Sequence, residues 1–353
     1  MLTARLYDPA VSGRELPAIL TSMRRLRTIG ITLLLLAAGL GTLPYLVDVP
    51  GTAEADPATL LSRAAAPSAR LITIDGVQSV VAEAGSAQDP ALLLVHGFGG
   101  STYGYRAVMA PLAARGWHVI AVDLPGFGLS AKSWERDYSH KAQATFALAL
   151  LDELHIERAV LLGHSMGGNV ISWMLALAPE RVAGLAYIDA AIVQPSTAGG
   201  ASPISASSLL NLAPMRRIAR IAIRSAFTPA TFSGLLSSAF AVQAAVTPDL
   251  VAGYAASAQL RDWDLALLGI VRDGANNALP QELAPLIAAA NTPPTMILWG
   301  AADSWVPLAR GEALHAELPA ATWRVLPGVG HVPFEEDPSG FLDVVGGWLD
   351  TLR

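Results

Sequence analysis

Ala159-Val160-Leu161-Leu162-Gly163-His164-Ser165-Met166-Gly167-Gly168 is the stretch on which the reading of this chain turns. Its first four residues are continuously apolar, as in a strand buried on both faces, and Asn169 to Leu177 behind it carries a helical pattern. Gly163-His164-Ser165-Met166-Gly167 therefore sits at a strand-to-helix turn. Such a turn bends sharply enough to lift the serine hydroxyl above the sheet, and neighbouring side chains would collide there. Gly163, Gly167 and Gly168 remove them. A bare Gly-x-Ser-x-Gly is a weak pattern, but the strand before it and the helix after it make Ser165 a candidate nucleophile.

Working outward, Leu71 to Ile74 and Ser79 to Ala82 are strand-like segments separated by Asp75-Gly76, a hairpin signal. Apolar runs at Ala91 to Val95, His118 to Val122, Val182 to Ile188, Thr295 to Trp299 and Trp323 to Leu326 alternate with helical patterns. The expected architecture is a mostly parallel sheet with helices on both faces, an α/β fold. One segment breaks the alternation. From Val193 to Ala284, Pro214, Pro229 and Pro248 punctuate alanine- and leucine-rich helical stretches, so residues 193–284 read as an all-helical cap inserted between core segments 70–192 and 285–353.

A serine hydroxyl needs a base to take its proton and a third group to orient that base. Among the 7 histidines, His331 in Gly328-Val329-Gly330-His331-Val332-Pro333 lies beyond the last strand pattern, where an imidazole can reach the sheet's carboxyl edge. His96 and His164 belong to turns beside the serine. Asp303, after Gly300-Ala301-Ala302, and Asp189, after Tyr187-Ile188, both end strands and both could orient the histidine. The loop after Gly300 gives Asp303 the freer reach. Glu335, Glu336 and Asp337 read as helix-start or solvated charges. For the negative oxygen of an acyl-transfer intermediate, the backbone amides of Met166 and of Phe98, in His96-Gly97-Phe98-Gly99-Gly100-Ser101, are the candidate donors. That loop has neither Gly-x-Gly-x-x-Gly spacing nor a Walker lysine, which argues against a nucleotide site.

Taken together, His96-Gly97-Phe98-Gly99-Gly100, Asp123-Leu124-Pro125-Gly126-Phe127-Gly128-Leu129-Ser130, Gly163-His164-Ser165-Met166-Gly167-Gly168 and Gly330-His331 resemble the α/β-hydrolase superfamily from about Leu71 onward. Within it they look like the capped serine hydrolases that include carboxylesterases, monoacylglycerol lipases and carbon-carbon bond hydrolases. The resemblance implies an α/β-hydrolase fold, a small-molecule ester as substrate, no metal or organic cofactor, and an acid at Asp303. Ser165 departs from the aspartate nucleophile of epoxide hydrolases and haloalkane dehalogenases. A carbon-carbon bond hydrolase or perhydrolase is the alternative enzyme, and a non-catalytic ligand-binding receptor or scaffold the alternative of another class.

The N-terminus carries a different signal. After a basic segment 1–27 with Arg24, Arg25 and Arg27, an uncharged apolar run from Thr28 to Val47 ends at Asp48. At about 20 residues it is long enough to span a bilayer and longer than an ordinary signal-peptide core. The expectation is a single-pass membrane anchor at 28–47, arginines inside and the remainder on the extracytoplasmic side. Met23 as a start and Ala53-Glu54-Ala55 as a cleavage site would give a secreted form instead. Residues 48–69, rich in alanine and proline, read as a linker. With a net charge of −6 and 0 cysteines, the chain has no field for gathering nucleic acid, no disulfide and no thiolate chemistry. Arg216, Arg220 and Arg224 recur at helical spacing in the cap, and are expected either to meet anionic headgroups or to form a solvated face.

Overall fold

Alternation of short apolar runs with helical patterns produces one eight-stranded sheet with helices on both faces. The structure is a computed structural model that describes residues 25, 27–29, 31, 32, 38, 39, 41–51, 55–195 and 206–353. The strands are β1 (Arg70–Ile74), β2 (Val77–Ala84), β3 (Ala91–Val95), β4 (His118–Val122), β5 (Ala159–His164), β6 (Val182–Ile188), β7 (Thr295–Gly300) and β8 (Thr322–Leu326). Their spatial order is β1-β2-β4-β3-β5-β6-β7-β8. Asp75 and Gly76 turn the first hairpin with φ of 47° and 74°, the paired left-handed geometry that Asp-Gly favours. β2 pairs with β4 antiparallel, and all later pairings are parallel.

The helices are α1 (Pro57–Ala64), α2 (Met109–Ala114), α3 (His140–Glu153), α4 (Met166–Leu177), α5 (Ala213–Ala226) and α6 (Pro229–Ala239). They continue with α7 (Pro248–Ala255), α8 (Trp263–Asp273), α9 (Leu283–Ala289), α10 (Leu308–Glu317) and α11 (Pro338–Asp350). Successive strand residues point to opposite faces, so β3 sends Leu92 and Leu94 into one core and Leu93 and Val95 into the other. The first core is closed by α2 and α11 through Leu112, Phe341 and Val345. The second is closed by α3, α4 and α9 through Leu150, Val170 and Leu283. Burial on both faces explains why the central strands read as unbroken apolar runs.

Helices α5 to α8 form the cap, and Pro214, Pro229 and Pro248 lie in first turns as expected. Thr228 and Thr247 supply N-cap oxygens to α6 and α7. The boundary expected after residue 284 falls inside α9, whose Leu283, Leu286 and Ile287 pack on the sheet and so belong to the core.

The N-terminal readings fare differently. Met23, Arg24, residues 30, 33–37 and 40, and Ala53-Glu54 lie outside the described residues. Among the described residues, no helix is long and apolar enough to cross a membrane. The stretch read as a linker is partly structured: α1 is capped by Asp56 and buries Leu60 and Ala64 against Val80, Leu129, Ala256 and Leu260. Withdrawing Leu60 from water favours the docked helix by about 2 kcal/mol.

The cap arginines are not a free basic face either. Arg220 Nε donates to Asp264 Oδ2 at 2.6 Å and Arg224 Nη2 to Oδ1 at 2.7 Å, and the Asp264 side chain is fully buried. Arg216 stacks over the Trp134 ring at 4.4 Å. Arg217 donates to the carbonyls of Pro44 and Val47, and Arg224 also to those of Pro50 and Gly51. These arginines bind the N-terminal segment to α5, and Asp264 fixes two of the guanidiniums that line it.

Candidate active site

The carboxyl ends of β3, β5, β6, β7 and β8 carry His96, Ser165, Asp189, Asp303 and His331, so parallel pairing gathers at one edge residues up to 235 positions apart. Ser165 occupies the turn between β5 and α4 with φ 50° and ψ −120°. A non-glycine residue there costs roughly 1–3 kcal/mol and persists only where its surroundings fix it. They do so here. Its N–H donates to Ile188 O, and its own carbonyl accepts from the amides of Gly168 and Ala191, each at 2.9 Å. The glycines are required by close approach: a Cβ on Gly163 would lie 2.5 Å from Gly167 O, and one on Gly97 2.8 Å from Ser165 Cβ.

His331 is buried beside this turn. His164 Nε2 donates to its carbonyl at 2.7 Å, and the two imidazoles lie 4.8 Å apart. His331 Nδ1 donates to Asp303 Oδ2 at 2.7 Å, which leaves Nε2 as the free ring nitrogen. Asp303 Oδ1 accepts from the amides of Trp305 and Val306 at 2.8 and 2.9 Å. Burial would raise the Asp303 carboxyl, but the bond from His331 and these two amides outweigh it and hold it below its ordinary range.

Both acids left open by sequence come close to the imidazole, since Asp189, Asp303 and His331 each place an atom within 4.8 Å of the others. Only Asp303 bonds to it. Asp189 is fully buried, accepts from Gly300 N at 2.8 Å, and has its carboxyl pushed well above the usual range by burial first and by the neighbouring Asp303 carboxylate as well. Asp189 Oδ2 has no hydrogen-bond partner among the described residues, so Asp303 and His331 form the bonded pair and Asp189 stands beside it.

Phe98 and Met166 stand where expected, in the turn after β3 and at the first position of α4. Neither amide has a hydrogen-bond partner among the described residues. His96 anchors the Phe98 turn: its Nε2 accepts from Leu124 N at 3.0 Å and its Nδ1 donates to Gly97 O at 2.8 Å. Burial lowers its pKa to about 4, in keeping with that neutral tautomer. The cavity over these groups, about 90 Å³, is lined by Phe98, Phe232, Leu236, Trp305 and Phe334 among others, with no charged carboxylate, lysine or arginine.

Glu335 and Glu336 lie in the first turn of a short helix, Pro333–Glu336, as their helix-start reading expected, but neither is a solvated charge. Glu336 is buried and accepts from four backbone amides: Ala241, Val242 and Gly330 on Oε2, and Val332 on Oε1. It thereby fixes both neighbours of His331 and ties them to the cap, where His331 N also donates to Ala239 O. Glu335 is likewise buried, paired with Arg106 at 2.5 Å. Asp337 caps α11 through Gly340 N.

The alpha/beta hydrolase fold family model matches residues 90–338, more than half of the chain. The chain belongs to the α/β-hydrolase family. This family member is 29% identical over 302 residues to an uncharacterized protein of Mycobacterium tuberculosis, covering 82% of this chain and 83% of that one. It is 26% identical to an uncharacterized hydrolase of Bacillus subtilis, over 76% of this chain and 93% of that one. Among solved structures, a membrane phospholipase A described as a bacterial virulence factor superposes on the hydrolase with a TM-score of 0.65 and 25% identity, covering 94% of this chain and 99% of that one.

Proposed function

We propose that the chain is a serine hydrolase that cleaves carboxylic esters, lipid-like esters in particular, through an acyl-enzyme. The observation that carries this reading is the strained turn of Ser165 beside an imidazole whose Nδ1–H is committed to Asp303. With Nδ1 protonated, His331 Nε2 is the base. Ser165 Oγ bonds to the ester carbonyl carbon as its proton passes to Nε2, and the oxygen that gains charge is met by the Phe98 and Met166 amides. Collapse expels the alcohol, which takes the proton from Nε2. Water then adds by the same route and returns Ser165 Oγ with the carboxylic acid as product. Asp303 holds the tautomer and offsets the charge of the transient imidazolium.

The preference for lipid-like esters draws on the apolar lining of the cavity and on the similarity to a membrane phospholipase A. In the same reading, residues 28–47 anchor the enzyme in a bilayer, with the hydrolase body on the extracytoplasmic side. A fluorophosphonate probe is expected to label the wild-type protein and not Ser165→Ala. Labelling that survives in Ser165→Ala, or wild-type protein that neither labels nor hydrolyses p-nitrophenyl acetate, would remove the ester-hydrolase assignment.

A further inference from the structure

The cavity lined by Gly97, Phe98, His164 and His331 is small for a lipid ester. It holds about 90 Å³, whereas sites for ligands of drug size run from roughly 300 to 1,000 Å³. A second hollow of about 580 Å³ lies in the cap between the start of α6 and α7. Phe232 lines both. On α7, Tyr254 faces the cavity, whereas Val251, Ala252 and Ala255 face the outer hollow. The outer hollow has no charged side chain in its lining, and its polar members are Thr228, Ser233 and Gln259. The Phe232 ring packs on Phe227 with centroids 5.2 Å apart, an apolar contact without directional bonds to hold it. Among the described residues, Phe232 is the one side chain common to the lining of the tight chamber and that of the roomy apolar groove.

We infer that this groove binds the distal part of a long acyl chain, admitted when Phe232 rotates, and that Phe232 and the groove set acyl-chain selectivity. The inference rests on the ester-hydrolase reading above. Each methylene that leaves water for such a groove favours binding roughly fourfold, so even a few carbons beyond Phe232 produce a large preference.

The test is the ratio of kcat/KM for p-nitrophenyl dodecanoate to that for p-nitrophenyl acetate, measured on the full chain. Phe232→Ala is expected to raise this ratio about tenfold. Ala252→Trp and Ser233→Trp, which fill the groove from opposite walls, are expected to lower it about tenfold or more. A fluorescent fatty acid bound to Ser165→Ala protein should be weakened by the same two groove substitutions, whether or not any ester is turned over. If both filled-groove proteins melt as folded proteins and leave the ratio and the fatty-acid affinity unchanged, the groove does not hold the chain. Failure of acetate hydrolysis in the wild type would remove the ester-hydrolase reading instead, and the fatty-acid measurement would still decide the groove.

Discussion

His331 has two competing acids within reach, and their different chemical states predict different mutant behaviour. Asp303→Asn removes the acceptor that selects the Nδ1–H tautomer and is expected to lower kcat by about 10³- to 10⁴-fold. Asp189 makes no bond to the imidazole and accepts from Gly300 N instead, so Asp189→Asn should change kcat by about threefold or less. The reverse ranking in ester turnover would assign the orienting role to Asp189. Glu336 acts at one remove, through the backbone on either side of the imidazole. Glu336→Gln loses acceptor capacity for four buried amides, at about 1–3 kcal/mol. It should lower kcat by about 10- to 100-fold with KM changed little, while a purely structural role would lower the melting temperature and leave kcat per folded molecule intact. Ser165 and His331 were legible because each sits where strand and loop patterns intersect. Glu336 was not, because two of its four partners lie 95 and 94 residues away, in the cap.

Among the elements, strands declared themselves best. Val182–Ile188, Ala91–Val95 and His118–Val122 were found with the bounds read from their apolar runs, since burial on both faces leaves no polar position to blur an end. The hairpin at Asp75-Gly76 and the proline-led cap helices were equally readable, because their signals are backbone constraints local to the chain. Helix α1 was not. Its eight residues are too few to display a period, and Leu60 gains its value from contact with Val80, Leu129, Ala256 and Leu260, all distant in sequence. Leu60→Asp should therefore expose this stretch to trypsin at Arg63 under native conditions and cost about 2–4 kcal/mol in urea unfolding; unchanged cleavage and stability would mean that α1 does not dock. The arginine spacing on α5 was noticed but its meaning depended on Asp264, a carboxylate 44 residues from Arg220 and 40 from Arg224.

For the molecule as a whole, buried titrating groups set the response to acid. His96, His140 and His164 have pKa values lowered by burial to about 4, 4 and 3. In the unfolded chain they titrate near 6.5, so the stability that depends on their neutral forms is complete above that pH and is lost as pH falls towards the folded values. Three acids work in the opposite sense: Asp123, raised by burial to about 6, Asp189, raised by burial and by Asp303, and Glu335, raised by burial, bind protons more readily when folded. Each buried neutral histidine loses up to about 1.4 kcal/mol of its contribution per pH unit as pH falls from about 6.5 towards its folded value. His140→Gln should accordingly lose about 1 kcal/mol less unfolding free energy in urea than the wild type from pH 6 to pH 5, and an equal loss in both would contradict this role for His140. A last consequence follows from the bonds that Arg217 and Arg224 make to the carbonyls of Pro44, Val47, Pro50 and Gly51. Tension on the proposed anchor travels into α5 and on to Asp264 before it reaches any strand. In the anchored form proposed above, the attachment runs through the cap as well as through the covalent chain, so a pull on the N-terminus would be felt first by the cap, whose helices line the cavity.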